Sequence, residues 1–135
     1  MRSTDLRIVA AILLMAACAR QEEPPAIDLP SSREQQEARI RDLEQQARAL
    51  AKTDGCDQVS QCATASVGAK ACGGPRTYLV YCRATADEAA LLSKLDELKR
   101  AEEEYNRVTG AVSDCMLATP PAVRLEGGSC RAATQ

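Results

Sequence analysis

Two stretches of the chain carry an apolar stripe at helical spacing. Between Ser31 and Gly55, the residues Ile40, Leu43, Ala47 and Leu50 recur every three or four positions on an otherwise polar, charged background. Ser31 with Glu34 has the pattern of a capping box, and Asp54-Gly55 supplies a stop. Glu37 with Arg41 and Glu44 with Arg48 stand four apart in the favourable order for an exposed helix face. The second stripe is longer: Leu91, Leu95, Leu98, Ala101, Tyr105 and Val108, thickened by Leu92, with Thr85 and Glu88 as its capping box and Gly110 as its stop. Neither stripe has another large apolar surface to meet, so the pattern predicts that they face each other, directly or across the segment between them.

That segment reads differently. Gly73-Gly74-Pro75 predicts a turn, and residues 76–81 alternate as a short strand would, with Tyr78 and Val80 to one side and Leu79 and Tyr81 to the other. Four cysteines, Cys56, Cys62, Cys72 and Cys82, fall here, and two more, Cys115 and Cys130, follow the second stripe. The expected fold class is mainly α: two amphipathic helices with a disulfide-stapled loop and short-strand region packed against them.

Composition explains why staples are needed. The chain has no Phe or Trp and only three Tyr, Tyr78, Tyr81 and Tyr105, and much of its apolar count is alanine. Such a core buries little area per residue, and covalent links are a physical supplement to it. The cysteines from Cys56 onward are separated by 5, 9, 9, 32 and 14 residues, with no Cys-x-x-Cys. The chain also lacks histidine, so zinc-ribbon and dithiol-redox readings are disfavoured and no metal or cofactor is expected. Three disulfides among Cys56, Cys62, Cys72, Cys82, Cys115 and Cys130 are the expectation, with pairing open. Helix length constrains one of them: Cys115 lies five residues past Gly110, so it reaches the knot only if the knot folds down along the second helix.

The start of the chain bears on where this happens. Arg2 and Arg7 precede ten uninterrupted apolar residues, 8–17, which end in Leu14-Met15-Ala16-Ala17-Cys18. This resembles the leader and lipobox of a bacterial lipoprotein. The apolar run spans only about 15 Å as a helix, half of a hydrocarbon core, so a membrane-spanning helix is disfavoured. The resemblance implies lipidation at Cys18, removal of residues 1–17 and, with Ala19 following the cysteine, the outer membrane facing the periplasm. Residues 18–30, with Glu22, Glu23, Pro24, Pro25 and Pro30, read as a tether, and 31–135 as the stapled domain. An exported chain is also what licenses the disulfide expectation.

Within the domain, Lys70-Ala71-Cys72-Gly73-Gly74-Pro75, Tyr78-Leu79-Val80-Tyr81, Asn106-Arg107 and Ser113-Asp114-Cys115 resemble a group of small exported bacterial proteins, a likeness that implies no activity. Catalysis is disfavoured on chemical grounds: there is no histidine, the cysteines are expected oxidised, and Ser, Asp and Glu show no spacing that suggests a triad or carboxylate pair. Formal net charge is −2, and no basic patch interleaved with aromatics suggests nucleic acid. The expectation is a non-catalytic, lipid-anchored envelope module that binds a partner protein or supports an envelope assembly, with Arg76, Tyr78 and Tyr81 as contact residues, residue types enriched at interface hot spots. The alternative is an inhibitor of an envelope or foreign hydrolase that presents the stapled loop around Arg76.

Overall fold

The structure is a computed structural model that describes residues 32–133. The leader, Cys18, the tether and the Ser31 cap lie outside the described residues. In chain order the elements are helix α1 (Ser32–Leu50), a short 3-10 turn (Val59–Gln61), strands β1 (Cys62–Val67) and β2 (Thr77–Cys82), helix α2 (Glu88–Thr109), and strands β3 (Val123–Glu126) and β4 (Ser129–Ala132). The strands form two separate antiparallel pairs, β1 with β2 and β3 with β4.

This corrects the expected fold class: the protein is α+β, with two small sheets, and is not mainly α. Sequence reasoning missed β3, β4 and, in the core, β1, whose sequence is Cys-Ala-Thr-Ala-Ser-Val. Its side chains are too small to give a strong apolar alternation, yet Ala63, Ala65 and Val67 all point into the core. Across the ladder Ala63 stands opposite Tyr81 and Ala65 opposite Leu79. Small side chains on one strand therefore leave room for large ones on the next, the interdigitation that fills a core at native density.

Leu43 and Ala47 from α1 and Leu91, Leu95 and Leu98 from α2 close over these strands to make one buried cluster, with Ile40, Leu50 and Ala101 at its margin. The two stripes thus meet each other and the β1–β2 sheet together. Each fully buried leucine contributes roughly 1.5–3 kcal/mol. Leu92 and Val108, placed in the stripe by periodicity, are exposed.

Both helix boundaries differ from the capping patterns, because other elements claim the capping groups. The first helix ends at Leu50, not at Asp54-Gly55. Past it the backbone turns to pairing: the Lys52 carbonyl accepts from Cys82 N–H at 2.7 Å and the Thr53 carbonyl from Cys130 N–H at 2.8 Å. Asp87, not Thr85, caps α2, accepting from Ala90 N–H at 3.0 Å. The Thr85 hydroxyl instead donates to the Asp54 carbonyl at 2.6 Å. Gly110, at φ 63°, ends α2 in the left-handed conformation that glycine adopts without steric cost.

The six cysteines pair as Cys56–Cys82, Cys62–Cys130 and Cys72–Cys115. The first two lie side by side in a second buried cluster with Val80, Val123 and Leu125 at its edge. Leu79 and Tyr81 therefore serve the helical core and Val80 the disulfide core, on opposite faces of β2. The third disulfide is exposed and ties the β1–β2 turn to the segment after α2. No helix among the described residues is long and apolar enough to cross a membrane.

Candidate contact surface

The turn between β1 and β2 is built on backbone bonds: Gly73 N–H to the Lys70 carbonyl and Lys70 N–H to the Gly74 carbonyl, both 2.9 Å, and Arg76 N–H to the Val67 carbonyl at 3.0 Å. Gly68 sits where any side chain would collide, since a Cβ there would come within 2.3 Å of the Glu102 carboxylate and 2.7 Å of Arg76 Nε. That close approach lets the turn fold down along α2. The Ala69 N–H donates to Glu102 at 2.5 Å, and the Asn106 side-chain amide donates to the Ala69 carbonyl at 3.0 Å. The knot thus reaches the C-terminal half of α2, within range of Cys115.

Arg76 is held by two carboxylates. Its Nη2 lies 2.7 Å from Glu44 on α1 and 2.7 Å from Glu102 on α2. The bond to Glu102 raises the Arg76 pKa above its already high value, against the opposing effect of burial. Burial pushes Glu44 up, but hydrogen bonds from Arg48 and Arg76 outweigh it and hold the carboxyl below its usual range. Glu102 continues the stripe of α2 one turn beyond Leu98 and is itself buried. A buried carboxylate is tolerable only with such partners. Arg76 is therefore a clamp between two helices and the turn, with part of its side chain still open to solvent.

The other two expected contact residues divide. Tyr81 is 2% exposed, a core residue whose hydroxyl donates to Glu88. That corrects its assignment to a partner surface, because a buried ring offers nothing to touch. The Tyr81 hydroxyl, and then Arg83, hold Glu88 below its normal range. Tyr78 is half-buried, on the wall of an open groove of about 580 Å³ with Arg48, Val80, Arg124 and Arg131. Arg76, Tyr78 and Tyr81 do not form one patch.

A cleft of about 370 Å³ between the helices brings together Glu37, Arg41, Glu44, Arg76, Glu102 and Tyr105, but its carboxylates are engaged, Glu44 and Glu102 by Arg76 and Glu37 by Arg33 and the Tyr105 hydroxyl. The sulfurs of Cys56, Cys62 and Cys130 lie within 4.8 Å of one another, a spacing that thiolates could use for a metal. All three are bonded in disulfides, and a disulfide sulfur carries no thiolate charge to donate.

The most exposed apolar side chains are elsewhere, on the segment 111–122 that joins α2 to β3. Val112 is 95% exposed, Met116 73% and Leu117 88%. The segment runs without turn, bend or strand pairing. It is anchored near its middle: Cys115 is bonded to Cys72, and Cys72 N–H donates to the Ser113 hydroxyl at 3.2 Å. The Lys70 ammonium contacts Asp114 at 2.6 Å and donates to the Met116 carbonyl at 2.8 Å. Sequence reasoning missed this surface. The signal available was Met116-Leu117 directly after a cysteine and before Pro120-Pro121, an apolar pair outside either helical stripe.

No protein-family model matches the chain, and neither a curated protein nor a solved structure matches it.

Proposed function

We propose that this chain is a lipid-anchored, non-catalytic module of the bacterial cell envelope that binds a partner protein, and that the contact is made by segment 111–122. The observation that carries the reading is the exposure of Val112, Met116 and Leu117 on a segment pinned by Cys72–Cys115 and Lys70. A pinned segment loses little conformational freedom on binding, so less of its contact energy is offset by ordering. Large apolar side chains held in water by a rigid scaffold are what a protein interface buries. The absence of histidine from the sequence and the engagement of Arg76 by two carboxylates also favour binding over chemistry.

The anchor rests on the Leu14-Met15-Ala16-Ala17-Cys18 box. Two or three acyl chains, at about 0.8 kcal/mol per buried methylene, make attachment effectively permanent. The test is fractionation of cells expressing Cys18→Ser, together with affinity capture from envelopes using the wild type and a Met116→Ser/Leu117→Ser variant. The reading expects loss of membrane attachment or an uncut leader for Cys18→Ser, and loss of the captured partner for the double variant. Membrane retention of a processed Cys18→Ser protein would refute the anchor, and unchanged capture by the double variant would refute the contact surface.

A further inference from the structure

The two hairpins are joined along one edge by residues 52–54. In an antiparallel ladder every second residue bonds to its neighbour strand, and the residues between turn their N–H and C=O to the other edge. Arg83 N–H donates to the Gln61 carbonyl at 2.9 Å, which continues the β1–β2 register and assigns the ladder bonds of β2 to Thr77, Leu79 and Tyr81. Tyr78, Val80 and Cys82 therefore face away from β1, and the Cys82 N–H does so in bonding to the Lys52 carbonyl. The bond of 2.8 Å from Ala133 N–H to the Ala122 carbonyl sets the β3–β4 ladder likewise, so that Cys130 and Ala132 face away from β3. Cys130 N–H goes to the Thr53 carbonyl. Residues 52 and 53 thus bond to β2 and β4 in turn, as a middle strand would.

Toward its start this middle strand is cut short by α1. The Asp54–Ser129 bridge sets a register in which residue 51 would pair with Ala132. Instead Ala51 N–H is bonded to the Ala47 carbonyl at 3.1 Å and Lys52 N–H to the Leu50 carbonyl at 2.9 Å. The outward backbone groups of Tyr78 and Val80 on one side and of Ala132 on the other are left without partners among the described residues, across the groove of about 580 Å³. Three guanidiniums, those of Arg48, Arg124 and Arg131, line this groove, and no carboxylate does. Their counter-charges are shared: Glu126 lies 3.2 Å from Arg124 and 3.5 Å from Arg131, and Glu44 lies 2.7 Å from both Arg48 and Arg76.

We infer that the gap between β2 and β4 is a docking site for an extended, acidic segment of a partner protein. The segment completes the strand begun by residues 52–54 and sets its carboxylates against Arg48, Arg124 and Arg131. An edge that offers donors and acceptors in turn is satisfied by another extended backbone, and the surrounding charge selects the side chains that backbone carries. At about 3.3 Å per residue, the free edge from Tyr78 to Val80 takes about three residues. Inorganic phosphate or a lipid headgroup brings acceptor oxygens but no regularly spaced donors for the Tyr78 and Val80 carbonyls. The chain's own acidic pair, Glu22-Glu23, runs into Pro24-Pro25, which have no N–H to give. The site uses no residue of segment 111–122 and stands or falls apart from it.

The experiment titrates the oxidised mature protein with capped pentapeptides that alternate Glu with Val or Thr, and with the same peptides carrying Lys in place of Glu. Expected are binding of the acidic set at least about tenfold tighter than the basic set, weakening as salt rises, and slower hydrogen exchange at the Tyr78 and Val80 amides in the complex. Methylating alternate peptide nitrogens should cost at least about tenfold, and so should Arg131→Glu. Arg131 is exposed, so the variant keeps the fold, which its melting temperature checks, and the methylated peptides probe the unaltered protein. Equal binding of acidic and basic sets, indifference to methylation, or no binding at millimolar peptide overturns the assignment. Three results would give the groove to another occupant and overturn it as well. These are inorganic phosphate binding as tightly as the peptides, self-association abolished by Arg131→Glu, and at least about tenfold tighter peptide binding by a Glu22→Gln/Glu23→Gln variant, which would mean that the tether fills the site.

Discussion

Lys70 and Met116 are joined by a hydrogen bond of 2.8 Å from the lysine ammonium to the methionine carbonyl, which links the β1–β2 turn to the segment after α2. The same ammonium pairs with Asp114, and the Lys70 side chain is mostly covered while that of Asp114 is open to water. An ion pair with one partner in solvent stabilises the fold by about 0–1 kcal/mol. Lys70→Ala should therefore leave the melting temperature nearly unchanged while loosening the segment. Hydrogen exchange across 112–119 checks this: faster exchange with an unshifted melt is expected, and a large melting shift would mean that Lys70 supports the core.

Arg76 and Glu102 set a larger effect. Arg76→Ala strands the Glu102 carboxylate against the turn, and removing one partner of a buried pair typically costs about 3–5 kcal/mol. Because the Arg76 side chain is 38% exposed and water reaches part of the pair, roughly 2–4 kcal/mol is expected. Arg76→Met combined with Glu102→Leu should recover most of it, since an apolar pair leaves no charge unpaired. Urea unfolding of both variants decides the point; equal destabilisation in each would show that shape, not charge, is what the clamp supplies.

The second helix was legible because Leu91, Leu95 and Leu98 repeat strongly, but the stripe as read ran on through Ala101, Tyr105 and Val108 and did not reveal that Glu102, one turn past Leu98, is buried. Strand β1 was not legible, because alanine, serine and threonine show almost no contrast between an inward and an outward position. The β3–β4 hairpin was overlooked although Gly127-Gly128 sits between Val123–Glu126 and Ser129–Ala132, a turn dipeptide between two short runs. Thr85 looked like a helix cap because local pattern cannot reveal that the Asp54 carbonyl, 31 residues away, takes its hydroxyl. Tyr81 looked like a contact residue because its type favours interfaces, and only the ladder with Ala63 shows it turned inward.

Redox titration should be biphasic. Cys72–Cys115 is exposed, whereas Cys56, Cys62, Cys82 and Cys130 are buried. Thiol–disulfide exchange needs access of the attacking thiolate. One disulfide should open at low reductant with circular dichroism unchanged, and the other two should open only together with unfolding. Their loss is worth about 2–4 kcal/mol each in the chain-entropy account. Alkylation and mass measurement at each reductant level follow the order; early loss of Cys62–Cys130 would contradict the buried placement.

Acid should weaken the fold in one direction only. The Glu44 carboxyl is held low by Arg48 and Arg76 against burial, and Glu37 is held low by Tyr105 and Arg33. A carboxyl whose folded pKa is depressed contributes stability above its unfolded value, and that contribution is lost as pH falls through the folded one. With no histidine in the chain, little titrates between about pH 6 and 8. The melting temperature should stay level from about pH 8 to 6 and fall below about pH 4. A decline setting in near pH 6 would show that another group governs stability.

Whether segment 111–122 is the surface this protein uses can be read from a photo-crosslinking amino acid placed at position 117 in the full chain, in intact cells. The same group at position 92, on the exposed side of α2, serves as the control, since Leu92 is also apolar and partly open to water. One discrete adduct from position 117 and none from position 92 is the predicted result. No adduct from position 117, or the same adduct from both positions, would contradict it.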